Sequence, residues 1–594
     1  MIRLPRIPRL GAAAPPSGTI HIEGVKQRAI DTGRSRLIVT GAIFSLAFSV
    51  IAGRMVDVTV LQKGGAPHAR LTHAEEPALS RADIVDRNGV LLATSLPTDS
   101  LYAHPHEIRN PAEAAQAIAG VLPELSADDL QAKLASDRAF LYLKRNLTPH
   151  QVYAVNALGI PGLYFEKDDK RVYPQGALAA HAVGLTDLDG KGIAGIEKSF
   201  DAALTSRHEP LRLSLDIRVQ TVLRDELFKT MNEFHAVGAS GMVLDVHTGE
   251  LVALVSLPDF DPNTMAGAMP DSMFDRATLG VYEMGSTFKL FDAAAAIDTG
   301  TANIGSSYDA SHPIHIARFE ITDYHPQNRW LTVPEILIYS SNIGAAKMAL
   351  DLGTDRQKDY LGRFGLLHTA SVEVPEDGAP LVPNPWREIN TMTIAYGHGM
   401  AVTPAQMIQG VGAIVNGGVL HPATLLARAV GEPIPGTQAI KPETSRVMRD
   451  MMRMIVTKGT GEKADVPGYE VAGKTGTAEK NGVGGYHHKA LLSSFIATFP
   501  VSDPRYVVLA MIDEPQGIKA SQGFATAGWT AAPAVGRIIA QIGPLLGVAP
   551  VRAPDDANAN ARVADAGTKM HVAVMTKTTQ TQSPVRKVSF AETE

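Results

Sequence analysis

The apolar and polar positions of this chain change rhythm several times, and each change marks an element. Near the N-terminus "LIVTGAIFSLAFSVIAG" (Leu37 to Gly53) runs 17 residues without a charge, the lower limit for a helix that spans a bilayer. Further on, "ADIVDRNGVLLATS" predicts strand, tight turn, strand around Asn88 and Gly89. "PAEAAQAIAGVL" and "SADDLQAKLA" have helical spacing and open on residues suited to helix starts. "LRLSLDIRVQTVLRDELFKTMNEF" passes from alternation into an amphipathic helix and reads as the joint between two domains. In "ASGMVLDVHTGELVALVSL" two apolar runs flank "HTGE", which predicts a hairpin with both arms largely buried. Near the end, "ALLSSFIATFP" and "RYVVLAMID" are two more buried strands joined by "VSDP", and "PAVGRIIAQIGPLL" reads as a terminal helix. Strands at both ends of a region with helices between them imply one antiparallel sheet built from distant segments and covered by helices. The fold class is α+β.

Composition narrows this picture. At 594 residues the chain is too long for one core. A net charge of −6 leaves no electrostatic footprint for nucleic acid, which is not an expected partner. The absence of cysteine excludes disulfides, thiol nucleophiles and Cys-based zinc sites. His487 and His488 lack a third ligand at metal spacing, so neither metal nor cofactor is expected. Residues 1–36 carry seven basic against two acidic side chains, which holds that end in the cytoplasm. A basic leader of this length favours an uncleaved signal anchor over a cleaved signal peptide. The expected organisation is a cytoplasmic segment 1–36, a single-pass anchor 37–56, a mixed α/β module 57–225, a second domain 226–548 and a disordered tail 549–594. Everything beyond the anchor is then expected outside the cytoplasmic (inner) membrane, on the periplasmic side.

Candidate chemistry sits in the second domain. "YEMGSTFKLFDAAAAI" contains Ser286 and Lys289, which share one helix face, so hydroxyl and amine can meet. Alone, the stretch reads equally well as the start of a buried helix. Two further motifs change the balance: "YSSNIG" with Ser340, Ser341 and Asn342, and "VAGKTGTAEK" with Lys474, Thr475, Gly476 and Thr477. This order of Ser-x-x-Lys, Ser-x-Asn and Lys-Thr-Gly is close to the set shared by β-lactamases and penicillin-binding proteins. A serine hydroxyl needs a base within hydrogen-bond reach. Lys289 can serve if desolvation and a second cation, for which Lys474 is the candidate, hold it neutral.

The chain resembles the class B penicillin-binding proteins, and most of all their division-specific type, from the anchor to about residue 545. "DIVDRNGVLLA", "RVYPQGALAAHAVG" and "GIAGIEKSFD" resemble the N-terminal pedestal module of that class, and "GHGMAVTPAQM" the stretch before its third motif. There are departures. "RAD" stands where Arg-Gly is common, "FDRA" where Asn-Arg-Ala is expected, and Ser341 where β-lactamases place Asp. The resemblance implies a peptidoglycan D,D-transpeptidase that forms a Ser286 acyl-enzyme from a stem peptide ending in D-Ala-D-Ala. It also implies an oxyanion hole from the amides of Ser286 and Thr477. Ser340 would pass a proton to the leaving amine, Asn342 would bond the substrate amide, and Thr475 and Thr477 would take the terminal carboxylate. Implied partners are lipid-linked precursor, an FtsW-like polytopic glycosyltransferase with other divisome membrane proteins, and β-lactams as covalent inhibitors. The alternatives are an elongation-type transpeptidase, a carboxypeptidase or β-lactamase-like hydrolase, and a membrane-anchored scaffold with a vestigial site.

Overall fold

The computed structural model describes residues 38–52 and 80–551, apart from residues 207–208, 266–267, 317–318, 371 and 483–484. The expected basic segment, residues 37 and 53–56 of the expected anchor, residues 57–79 of the expected module and the tail from residue 552 lie outside the described residues. The chain divides into two units, Met1–Ala78 and Leu79–Glu594. In the first, residues 38–52 are helical and exposed. No helix among the described residues is long and apolar enough to cross a membrane.

The second unit begins with the module around "DRNG". Strands β1 (Ile84–Val85) and β2 (Leu91–Ala103) flank the expected turn, and Gly89 takes the positive φ of +86° that this turn requires. The long β2 pairs with both β3 (Leu141–Leu147) and β4 (Leu163–Val172), and β1 pairs in parallel with β5 (Leu211–Arg212). Helices α1 (Pro111–Val121) and α2 (Ala127–Leu134) start as their sequences suggest. Pro111 opens α1, and the Asn110 and Ser126 side chains cap the two first turns. Ile118, Leu122, Leu130 and Leu134 of this pair close a small core with Leu101, Leu141 and Leu147.

A buried ion cluster joins the distant pieces of this module. The fully buried Glu197 carboxylate accepts from Arg81 Nε at 2.6 Å and from Arg171 Nε at 2.7 Å. Arg81 also reaches Asp201 at 2.7 Å, and Arg171 donates to the Ala82 carbonyl at 2.9 Å. Thus "RAD", β4 and "GIEKSFD" are joined by charge, beside an apolar core to which Ala82 and Ile196 contribute.

The amphipathic joint is one unbroken helix, α3 (Ile217–Glu233), and the expected boundary at 225/226 falls inside it. Its stripe of Val219, Leu223 and Leu227 belongs to the core under the second domain's sheet. The stripe signals that one face is buried but carries no information about which domain buries it. Asp86 of the turn accepts from Asn88 N, Val90 N and Ile217 N, which ties β1 to the first turn of α3.

The second domain is built on five antiparallel strands: β6 (Gly238–Asp245), β7 (Leu251–Leu257), β8 (Ala472–Gly482), β9 (Gly485–Phe499) and β10 (Tyr506–Asp513). Their spatial order is β8-β9-β10-β6-β7. Side chains alternate between two cores, as the pleat demands. Val507, Leu509 and Met511 face one; Val508, Ala510 and Ile512 face the other. The second core is closed by α3 and by α8 (Ala531–Leu545). The first is closed by α4 (Lys289–Asp298), α5 (Asn342–Leu352), α6 (Pro404–Val415) and α7 (Pro442–Lys458). Helices on both faces explain why the strands read as continuous apolar runs. The sheet covered by helices is the expected α+β architecture.

Replacing Glu197 with Ala strands two guanidinium groups in a buried site. Urea denaturation is expected to show a loss of about 3–5 kcal/mol, and a change below 1 kcal/mol would mean that water or Asp201 compensates the arginines.

Candidate active site

The first motif lies where α4 meets the edge strand β8. A 3-10 turn, Gly285–Phe288, precedes the α-helix, so Ser286 sits in that turn and Lys289 is the first α-helical residue. Two glycines make the crossing possible. A Cβ on Gly285 would lie 2.7 Å from the Thr477 carbonyl oxygen, and one on Gly476 would lie 2.5 Å from that of Met284. "GS" and "TGT" therefore require each other: the backbones of the two motifs touch, and side chains would separate them.

All three motifs converge on two amines. Lys289 Nζ is 2.6 Å from Ser286 Oγ, 2.7 Å from Asn342 Oδ1, 3.0 Å from the Ser340 carbonyl and 3.4 Å from Ser340 Oγ. Lys474 Nζ is 2.9 Å from Ser340 Oγ and 3.1 Å from the Thr475 carbonyl. Ser340 thus stands between the two lysines. Its φ of +58° is unusual for a residue with a side chain. This left-handed turn brings both its carbonyl and its hydroxyl within reach of Lys289.

The neighbours hold that geometry. Ser341 caps α5, accepting from Gly344 N at 3.0 Å and donating to Asp323 Oδ2 at 2.6 Å. Asp323 Oδ1 accepts from the amides of Asn342 (2.6 Å) and Ile343 (3.0 Å), a carboxylate at a helix N-terminus. Asn342 Nδ2 donates to the Thr322 carbonyl at 2.9 Å, so its Oδ1 faces Lys289. The middle serine of "SSN" is thus a helix cap, with no contact to either amine among the bonds around it. On β8, Thr475 and Thr460 share a hydrogen bond of 2.6 Å between hydroxyls, and Thr477 Oγ1 accepts from Ala527 N at 3.2 Å.

Burial sets the electrostatics. Lys289 and Lys474 are both fully buried. Burial, then the neighbouring Lys474 charge, hold Lys289 well below the ordinary lysine range, while Asp323 opposes the shift. Burial alone brings Lys474 down to about 7. A neutral Lys289 has two N–H bonds and one lone pair. Asn342 Oδ1 and the Ser340 carbonyl can only accept, so they take both N–H bonds. The remaining tetrahedral position, with its lone pair, faces Ser286 Oγ at 2.6 Å. The arrangement can draw a proton from the serine and so make it a nucleophile.

The expected residues Ser286, Lys289, Ser340, Asn342 and Lys474 lie in one hydrogen-bonded cluster, with Thr475, Gly476 and Thr477 on the strand beside it. Sequence reading missed Asp323, Tyr396 and Gly397. Tyr396 places its ring 6.0 Å from Lys289 Nζ, and the Gly397 carbonyl accepts from Gly285 N at 3.3 Å. Gly397 opens "GHGMAVTPAQM", so that stretch carried a signal; Asp323, alone in "ITDYHPQ", carried none. A cavity of about 390 Å³ adjoins the strand, lined by Tyr282, Glu283, Gly399, Met400, Glu479 and Lys480 among others. The side chains of His487 and His488 lie outside the described residues.

This chain belongs to the penicillin-binding protein transpeptidase family. Residues 239–536 match the penicillin binding protein transpeptidase domain, and residues 77–217 the penicillin-binding protein dimerisation domain. It is 40% identical over 538 residues to the protein named "Probable peptidoglycan D,D-transpeptidase FtsI" of Caulobacter vibrioides, covering 88% of this chain and 90% of that one. To the peptidoglycan D,D-transpeptidase FtsI of Escherichia coli K12 it is 29% identical, over 81% and 88% of the two chains. Among solved structures, penicillin binding protein 3 of Mycobacterium tuberculosis complexed with ampicillin superposes with a TM-score of 0.64 at 26% identity, covering 80% of this chain and 98% of that one.

The two groups beside Lys289 act on it in opposite senses. Asp323 favours its protonated form, so Asp323→Asn should carry the acid limb of penicillin acylation to lower pH. Lys474 disfavours that form, so Lys474→Met should carry the limb to higher pH as well as slowing the reaction. Second-order acylation rates measured across pH test both, and shifts of the same sign would refute this electrostatic account.

Proposed function

We propose that this protein is the peptidoglycan D,D-transpeptidase of septal wall synthesis, anchored in the cytoplasmic membrane by residues 37–56 with its catalytic domain on the periplasmic side. The observation that carries the enzymatic part is Lys289 Nζ at 2.6 Å from Ser286 Oγ, with its other hydrogens taken by acceptors. Lys289 removes the Ser286 proton as Oγ attacks the carbonyl of the penultimate D-Ala. The amides of Ser286 and Thr477 stabilise the oxyanion; the close crossing of Gly285 by the Thr477 backbone supports that pairing. As the peptide bond breaks, Ser340, held by Lys474, passes a proton to the departing D-Ala nitrogen and takes in its place the one that Lys289 removed from Ser286. Thr475 and Thr477 take the terminal carboxylate, which Gly476 lets approach. An amine of a neighbouring stem then attacks the acyl-enzyme, forms the cross-link and releases Ser286 with its proton restored. β-Lactams enter as acylating mimics of the D-Ala-D-Ala terminus.

The division role rests on the FtsI names of the relatives and on the sequence resemblance. It brings with it an FtsW-like glycosyltransferase and other divisome membrane proteins as partners of the anchor and pedestal. Fluorescent penicillin in cells distinguishes the readings: label at mid-cell supports the septal role, and label along the side walls supports the elongation type. Exchanging residues 37–53 for an unrelated spanning helix should leave penicillin labelling intact and impair division; unimpaired division would remove the anchor's specific role.

The base is tested by Lys289→Arg. Guanidinium keeps its proton and cannot accept one from Ser286. General-base assistance is typically worth 10²–10⁴-fold, so acylation should fall by at least about a hundredfold while the melting curve shows a folded protein. Near-wild-type acylation by the folded variant would assign the base elsewhere.

A further inference from the structure

One turn beyond Lys289, α4 carries Asp292, a carboxyl that the acyl-transfer chemistry leaves unused. It is 1% exposed, and so is Gln357 on the facing helix Thr354–Arg363. Both hydrogens of Gln357 Nε2 are taken: one by Asp292 Oδ1 at 2.9 Å, the other by the Thr391 carbonyl at 2.9 Å. Asp292 Oδ2 and Gln357 Oε1 are left buried with no donor among the described residues. Two such orphans in one bonded pair are costly. An ionised carboxylate cannot cure this, because both oxygens only accept. One proton on Asp292 would serve both: an Oδ2–H donated to Gln357 Oε1 would close a ring of two hydrogen bonds.

We propose that Asp292 is a neutral carboxylic acid paired with Gln357, and that this pair positions Lys289 without placing a counter-charge behind it. The surroundings agree. Burial pushes the Asp292 carboxyl up to about 7 against the opposing Gln357 bond. From α4 the nearest titratable group is Lys289 itself; from the helix Thr354–Arg363 the facing group is Gln357. The helix Glu388–Ile394 presents Thr391, whose hydroxyl is engaged by Trp386 Nε1 at 3.0 Å and Thr354 Oγ1 at 2.8 Å. Lys289 is therefore the one other titratable group among these. A carboxylate three residues along its helix would favour its ammonium form and disarm the base. The pair also reaches further, because the chain leaving the Thr391 helix turns directly into Gly397, whose carbonyl accepts from Gly285 N. Asp292 is a positioning residue, and the inference rests on Lys289 acting as the base.

The test uses the full chain and the pH profile of penicillin acylation, wild type against Gln357→Glu. In the variant two carboxyls share one proton, so the pair carries a negative charge where the wild-type pair carries none. The acid limb should move up by about one pH unit. If Asp292 is already ionised, the shared-proton pair has the charge it had before, and an unmoved limb overturns the proposal. A wild-type profile with no acid limb would instead sink the assignment of Lys289 as base, and this inference with it. Thermal melts of Asp292→Asn supply a second reading that does not depend on catalysis. The folded carboxyl titrates near 7 and the unfolded one near 4, so folded wild type retains a proton that the unfolded chain releases. Wild-type stability therefore falls as pH rises between those values. Asn keeps two hydrogen bonds and has no proton to lose. Its melting temperature should gain on wild type by a few degrees between pH 5 and pH 7.5, and a gap independent of pH overturns the proposal.

Discussion

Two lysines buried without carboxylate partners at their amines are the constraint on which this catalytic domain turns. An ammonium in a low-dielectric site is expensive, so burial favours the neutral amine, the form that can accept a proton. Lys289 and Lys474 are both fully buried, and each is bonded chiefly to oxygens of serine, asparagine or backbone. Keeping them in that state requires the helix that bears one and the strand that bears the other to meet without leaving room for water. The glycine crossing of Gly285 and Gly476 provides the meeting. The sheet and its two helical layers provide the rigidity that holds it.

Seen this way, several features share one purpose. Asp323 anchors the middle motif through two amides and a hydroxyl, and its charge acts on Lys289 against the effect of Lys474. The left-handed Ser340 would be strained in an ordinary loop. Here it is held between α5 and the two amines. The first module adds a different device: beside its apolar contacts, the buried Glu197 and its two arginines link distant segments. Each arginine gives one hydrogen bond to a different oxygen of Glu197, so the carboxylate bridges two distant segments with directional, charge-assisted bonds.

Much of the fold was legible because its signals are local. Turn chemistry at Asn88-Gly89, the proline start at Pro111 and the serine cap at Ser126 are decided within a few residues, and the structure has them where the sequence places them. The long apolar strands were legible for a cruder reason: both faces of the central sheet are covered. The joint was read less well. Val219, Leu223 and Leu227 announce a buried face, but only the tertiary structure assigns α3 to the sheet beneath it and so places 225/226 within a single helix.

The chain by itself determined the chemistry on offer: a serine with a lysine one turn away, a Ser-x-Asn, a Lys-Thr-Gly, and no cysteine. What it could not determine is which of these groups meet. Ser340 and Lys474 are separated by 134 residues, and Asp323 precedes Ser341 by 18. No periodicity links residues so far apart, because their contact is produced by how helices pack on a sheet. The protonation states are decided at the same level. Lys289 and Asp292 are ordinary ionisable residues in the sequence. Only enclosure by distant elements lowers the one and raises the other, and the unpartnered Asp292 Oδ2 and Gln357 Oε1 appear only once the helices are packed.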